Sequence, residues 1–239
     1  MPIDIDHAGR TLLIVAHPDD EAVGCGSVLH RVRNLYIAYV TDGSPENLYD
    51  AHRNGFATRE EYASARRAEA SAAVPHAEMF WLGFTDQKTA HQMDKLTEAV
   101  SDLIDRVRPD LVLTHPYEGG HPDHDAVAFA VHAAYPTPWE FTSYHANPDF
   151  VAEEFLPPHD DVLTIELTPE DRARKRGIME CYRTQQEVLR LFPLRYERFR
   201  PAPKYDFEKP PHPGQLHYER FDWGITGQQF RRNVCALQS

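Results

Sequence analysis

Residues 11–21 read TLLIVAHPDDE, and the first six of them decide the fold. A short, continuous apolar run closed by His17-Pro18 reads as a strand buried on both faces. A helix is expected over about residues 21–33, then a second buried strand at 35–40 (LYIAYV), closed by the turn signal Thr41-Asp42-Gly43. These three elements make a βαβ unit. Further along, Thr58 with Glu61 three residues on forms a capping box for a helix over 58–73, and 79–82 (MFWL) reads as a third strand. Leu96, Val100, Leu103, Ile104 and Val107 keep helical spacing within 89–107 until Pro109 stops them. Leu111–Thr114 is the fourth strand, and Pro122 opens a helix over about 123–135. Residues 139–144 and 162–167 are weaker strand signals. Strands alternating with helices predict an α/β fold with a mostly parallel sheet covered by helices on both faces.

Thr168 caps an Arg-rich helix expected to reach about Phe192, with Glu170 and Asp171 in its first turn. Regular patterning stops after Pro193. Five prolines in residues 201–215 mark an extended, irregular segment, yet Tyr205, Phe207, Tyr218, Phe221 and Trp223 lie in or after it. Aromatics at that density fit a tail packed on the body. The expected organisation is one domain over 1–200 and a Pro- and aromatic-rich extension over 201–239, and 239 residues suffice for one sizeable core.

The formal charge of −12 is unevenly spread: −18 over residues 1–170, +5 over 171–200 and +1 over the tail. Most of the chain repels phosphate, which argues against nucleic acid as a partner. The basic stretch Arg172, Arg174, Lys175 and Arg176 reads as a solvated helix face. No run approaches the roughly 18 apolar residues of a membrane helix, and the start, MPIDIDHAGR, is acidic where a secretory leader is basic. Cys25, Cys181 and Cys235 are odd in number and far apart, so reduced thiols and a cytoplasmic location are expected.

Two stretches carry the chemistry: His17-Pro18-Asp19-Asp20-Glu21 after strand one and His121-Pro122-Asp123-His124 after strand four. With the strand order 3-2-1-4-5, those two loops part at the switch point of the sheet and face each other across a crevice. A His and a carboxylate in one turn, with a second His from another loop, is the ligand set of an open divalent metal site that keeps a position for water. The spare groups, a carboxylate beside the first ligands and a His three residues before the last, have the types of a general base and an oxyanion partner. Spacing alone does not choose between Asp19 and Asp20. Alone, either stretch also reads as a helix start, with an Asp as cap or Pro122 and Asp123 in a first turn; together they favour metal-assisted hydrolysis. Nine other histidines, His7, His30, His52, His76, His91, His132, His159, His212 and His217, read as ordinary surface or core residues. Gly24-x-Gly26 lacks the third glycine and the acidic partner of a dinucleotide loop.

HPDDEAVGCG (His17 to Gly26) together with HPDH (His121 to His124) resembles the paired signature of the LmbE-like, or PIG-L, family of zinc-dependent de-N-acetylases. Weaker agreement extends over Thr41-Asp42-Gly43, Arg66-x-x-Glu69, Leu82-Gly83-Phe84, Tyr182-x-Thr184-Gln185 and Glu197-x-Phe199-Arg200, so that the resemblance covers roughly residues 10–200. It implies a Rossmann-like fold, with His17, Asp20 and His124 as metal ligands and Asp19 as general base. By the same resemblance His121 stabilises the oxyanion or protonates the leaving amine, Asp123 orients His121, and Asp42, Arg66 and Asp86 contact substrate. The implied cofactor is Zn2+, with other divalent transition metals open to a His/carboxylate site. The implied partner is a small N-acetylated amino sugar or conjugate. Self-association stays open. Where the family often has Gly-Gly after the first motif, this chain has Gly26-Ser27, and Cys25 beside it reads as a small apolar residue rather than a ligand.

The expected activity is metal-dependent removal of an N-acetyl group. Its rivals are an amidase for a non-sugar or thiol-conjugate amide and a carbohydrate-binding module without turnover.

Overall fold

The computed structural model describes residues 8–146, 149–158 and 160–238, so His7 and His159 lie outside the described residues. In chain order the elements are β1 (Arg10–Val15), α1 (Asp20–Cys25), β2 (Asn34–Pro45), α2 (Tyr49–Arg53), α3 (Arg59–Ala73), β3 (Glu78–Asp86), α4 (Met93–Val107), β4 (Leu111–Thr114), α5 (Pro122–Ala134), β5 (Trp139–Phe141), β6 (Tyr144–Ala146), β7 (Phe150–Ala152), β8 (Leu163–Glu166), α6 (Pro169–Cys181), α7 (Gln186–Leu189), β9 (Tyr196–Pro201) and α8 (Gly227–Gln238). The main sheet runs β3-β2-β1-β4-β5-β9-β8. Its first five strands are parallel, in the expected order, and β9 enters antiparallel between β5 and β8.

β1 is apolar at successive positions because both of its faces feed a core. Leu12 and Ile14 join a cluster with Leu96 and Val100 of α4, Val127 and Val131 of α5, and Phe230 and Val234 of α8. Leu13 and Val15 join another with Ala22 of α1, Ala70 of α3 and Met179 of α6. α1 therefore leaves β1 toward one face and α5 leaves β4 toward the other, and the loops after these neighbouring strands diverge.

Several elements depart from the sequence reading. The helix expected over 21–33 ends at Cys25, because the Ser27 backbone N–H and hydroxyl both donate to Glu197, at 2.8 and 2.6 Å. Leu29–Arg31 then forms a separate 3-10 turn. Thr41-Asp42-Gly43, read as a turn, continues β2 through two register shifts against β3. The helix expected over 168–192 breaks after Cys181, so that Tyr182 is fully buried and its hydroxyl donates to Glu21. Beyond Pro193, where regular patterning was expected to stop, β9 runs from Tyr196 and α8 from Gly227. Lys175 is no solvated charge: it is 1% exposed and ion-paired with Glu197 at 3.1 Å. The capping box of Thr58 and Glu61 is formed as expected. In the extension, Phe207, Leu216, Tyr218, Ile225, Phe230 and Val234 are buried in the same cluster as α4 and α5. Among the described residues no helix is long and apolar enough to cross a membrane.

Candidate metal centre

β1 ends at Val15, and the turn that follows is fixed by its own polar groups. The His17 N–H donates to Asp20 Oδ2 at 2.7 Å, and Asp20 opens α1. β4 ends at Thr114, and His121 caps α5 by accepting the Asp123 N–H on Nδ1 at 3.1 Å. The two loops meet as expected. His124 Nε2 lies 3.3 Å from His17 Nδ1 and 3.2 Å from Asp20 Oδ1, and His17 Nδ1 lies 3.5 Å from Asp20 Oδ2. All three side chains are buried.

The other ring nitrogen of His17 faces a second set of acids. Its Nε2 lies 3.2 Å from both Asp86 Oδ1 and Asp123 Oδ2. Asp123 is itself held by the Gln87 N–H at 2.6 Å, the Thr89 N–H at 3.2 Å and the Thr89 hydroxyl at 2.5 Å. Burial opposes its charge, yet the His17 hydrogen bond, the nearby imidazoles and the Thr89 hydroxyl keep it well below the usual carboxylate range. A carboxylate anchored in this way suits the outer partner of a metal-binding imidazole. Its Oδ2 is 3.9 Å from His121 Nδ1, beyond hydrogen-bond reach. The carboxylate expected to orient His121 therefore orients His17, and the Asp123 backbone fixes His121.

Asp19 stands at φ 135°, a conformation few residues other than glycine adopt. Two contacts hold it: its N–H donates to Glu21 Oε2 at 3.3 Å, and Arg66 donates to Pro18 O at 2.5 Å and to Asp19 Oδ2 at 3.3 Å. Burial pushes the Asp19 carboxyl up to about 7, against the pull of the Arg66 guanidinium. Burial likewise pushes Glu21 up to about 8. His121 is driven well below its ordinary value, first by burial and then by His17, and is neutral. Because its Nδ1 accepts a hydrogen bond, the proton of that neutral ring sits on Nε2, the nitrogen left to donate to a ligand.

The cavity at this point has a volume of about 180 Å³. Its polar lining is His17, Asp19, Asp20, Asp50, Arg66, Asp86, Gln87, His121, His124 and Gln185, and its apolar and aromatic lining Val23, Tyr144, Val188, Leu189, Phe192 and Trp223. Asp19, Asp20, Asp50 and Asp86 line it, Asp123 holds His17 from behind, and Arg66 is the one permanent cation among the described lining residues. Buried carboxylates in such excess need cationic partners or a metal ion, so the residues present fit a divalent cation. Of the three residues expected to touch substrate, Arg66 and Asp86 line the cavity. Asp42 does not: its carboxylate accepts from Arg59 at 2.6 Å and from the Ser44 N–H at 3.0 Å, a structural pairing on the β2 extension.

His115 escaped the sequence reading. Fully buried, it stacks on His124 with ring centroids 3.9 Å apart, accepts the Ala16 N–H on Nε2 at 3.0 Å, and is pushed by burial down to about 4. The signal was present, since His115-Pro116 ends β4 as His17-Pro18 ends β1. Cys25 is a core residue, its thiol raised by burial, as expected of an apolar filler.

Residues 12–135, just over half of the chain, match the family described as PIG-L: GlcNAc-PI de-N-acetylase. The chain belongs to the PIG-L family. A probable N-acetyl-alpha-D-glucosaminyl L-malate deacetylase 2 of Bacillus subtilis is 32% identical over 129 residues, 51% of this chain and 58% of that protein. The chain thus spans less than two thirds of that relative's length. A 1D-myo-inositol 2-acetamido-2-deoxy-alpha-D-glucopyranoside deacetylase of Nakamurella multipartita is 26% identical over 84% of this chain and 89% of its own. Among solved structures, a deacetylase of teicoplanin biosynthesis superposes with a TM-score of 0.65 over 83% of this chain and 99% of its own, at 21% identity, and bears out the fold.

Proposed function

We propose that this PIG-L chain is a metal-dependent deacetylase that hydrolyses the N-acetyl group of an amino sugar or its conjugate. The observation that carries this reading is the meeting of His17, Asp20 and His124 within 3.5 Å of one another beside a carboxylate, Asp19, held near neutrality. The two relatives described above are named as deacetylases of N-acetylglucosamine conjugates, the first as a probable one, which supports the substrate class.

His17, Asp20 and His124 would hold the cation, for which zinc is the proposed identity. When bound, it supplies Lewis acidity toward the amide carbonyl and acidifies a water. Asp19 takes the proton of the attacking water, for which a carboxyl raised to about 7 is well matched. Arg66 aims Asp19 and keeps the carboxylate accessible near neutral pH. Neutral His121 offers its Nε2–H to the developing oxyanion, and the proton collected by Asp19 passes to the departing amine. Asp86 and the Asp123 carboxylate hold the outer nitrogen of His17. A binding module has no need of a carboxylate kept at φ 135°, a strain characteristic of functional sites. We take residues 1–200 as the deacetylase domain and 201–239 as its extension, and place the chain in the cytoplasm on the odd number and wide spacing of its three cysteines.

The test pairs two variants. Asp19→Ala keeps the metal and loses most acetate release from N-acetylglucosamine conjugates, whereas His124→Ala loses the metal. Turnover of Asp19→Ala at the wild-type rate contradicts the base assignment.

A further inference from the structure

The apolar part of the cavity wall carries rings that pack on the site's histidines and continue out of the cavity. Trp223 packs against His121 with centroids 4.6 Å apart, and Phe221 stacks on Trp223 at 4.6 Å and 16°. His217 meets Phe221 at 5.1 Å and Tyr144 at 5.8 Å, and Tyr144 returns to His124 at 5.5 Å. The arc therefore begins at one histidine of the site and ends at another. Phe150 joins it through Tyr144 at 5.4 Å. Its outer surface is wet: Phe221 is 46%, Phe150 38% and the lining Val188 50% exposed, three of the six large apolar side chains exposed among the described residues. Exposed apolar surface gathered at the mouth of a reactive cavity has a ligand to cover.

What that ligand is follows from size and from the connectivity of an amino sugar. A cavity of about 180 Å³ is smaller than the roughly 300–1,000 Å³ of pockets that enclose whole drug-sized ligands. It admits the sugar and its acetamide, and the remainder of the conjugate must lie outside. The acetamide nitrogen of a 2-acetamido sugar is on the carbon next to the anomeric centre. A group on the anomeric oxygen thus emerges beside the reacting carbonyl, and Trp223 and Phe221 are the rings that lead outward from His121. The adjoining polar cavity has Arg53, Arg66, Arg183 and Arg190, where Asp50, Asp86 and Glu187 oppose the cations, Arg53 is already paired with Glu187 and Arg66 with Asp19. It is no built site for an anion.

Resting on the deacetylase reading above, we propose that the substrate carries an apolar aglycone, aryl or alkyl, on the anomeric oxygen of the N-acetyl amino sugar, seated on the arc from Trp223 through Phe221 to Phe150. The arc stacks on a ring or covers a chain, and in doing so distinguishes this chain's substrate from conjugates with charged or polyol aglycones.

The test compares acetate release from the phenyl and methyl glycosides of N-acetylglucosamine, both anomers, and from a glycoside with a dicarboxylate aglycone, using the metal-loaded full chain. One phenyl anomer exceeds its methyl counterpart in kcat/KM by about tenfold or more, as burial of one aromatic ring against others allows. The double variant Phe150→Ser/Phe221→Ser brings that ratio to about 3 or below, while Leu237→Ser, an exposed apolar residue on α8, leaves it unchanged. Equal rates on phenyl and methyl glycosides, preference for the dicarboxylate, or a ratio indifferent to the double variant overturns the proposal and leaves the deacetylase reading standing. Should no glycoside release acetate, that reading fails, and calorimetric titration decides the subsite alone. Tighter binding of phenyl over methyl glycoside, lost in the double variant, sustains it; equal binding overturns it. A dimer that dissociates in Phe221→Ser without any change in ligand preference assigns the face to a second copy and also overturns it.

Discussion

Asp19 concentrates the residue-scale argument, because its backbone and its carboxyl are both held away from their resting states. A side chain at φ 135° is strained by about 1–3 kcal/mol, and the Glu21 carboxylate and the Arg66 guanidinium hold the residue there. Asp19→Gly relieves the strain and Asp19→Ala keeps it, so both variants lose activity but the glycine variant melts higher, by about 2–4 °C per kcal/mol for a chain of this size. Equal melting temperatures would remove strain from the account. The sequence revealed the site's membership more fully than its internal pairings. HPDDE and HPDH named the residues that converge, since side-chain type and position after a strand suffice for that. The partner of the Asp123 carboxylate was not legible, because a difference of 0.7 Å between His17 and His121 depends on the rotamers of two rings and one carboxylate.

At the scale of elements, the alternation of strands and helices carried the parallel sheet, and what it missed has local causes. α1 is short because Ser27 is captured by Glu197, a residue 170 positions away that no local pattern can announce. The break after α6 has the same character, with Tyr182 drawn inward to Glu21. β9 was hidden because it is only partly apolar: its Glu197 and Arg200 are buried through ion pairs with Lys175 and Glu140. α1 also lies so close to β5 that a Cβ on Gly24 would enter the ring of Phe141. Gly24→Ala therefore destabilises the chain by about 1–3 kcal/mol despite the better helix propensity of alanine. An unchanged or raised melting temperature would mean that α1 and β5 are free to separate.

For the whole molecule, Arg200 ties together parts distant in sequence. It donates to Glu140 at 2.9 Å, to the Leu156 and Pro158 carbonyls at 2.8 and 2.7 Å, and to Tyr205 of the extension at 2.9 Å. It also lies 3.6 Å from Glu118, in the loop that leads to His121. Glu118 accepts the Leu156 N–H at 2.6 Å, but burial outweighs Arg200 and raises its carboxyl to about 8. A raised carboxyl favours the folded state fully below its ordinary pKa of 4.5, and the advantage fades as pH climbs toward 8. Glu118→Gln has no proton to lose, so its melting temperature falls less than that of the wild type between pH 5 and 8; parallel curves would show that Glu118 is ionised in the fold. Of the aromatics after residue 200, Phe207 and Tyr218 are buried in one cluster with α4 and α5, whereas Phe221 is exposed. Trp223 as part of the site wall was not legible, because nothing in the tail's composition specifies which rings of the body it meets.

The proposed chemistry needs one cation between the loops after β1 and β4. Crystals grown with zinc, measured at the zinc absorption edge, show whether it sits there. The expected result is a single strong anomalous peak about 2.0–2.2 Å from His17 Nδ1, an Asp20 carboxylate oxygen and His124 Nε2. A peak on the Asp86, His121 and Asp123 side of His17, or no peak in this cavity at saturating zinc, would contradict it.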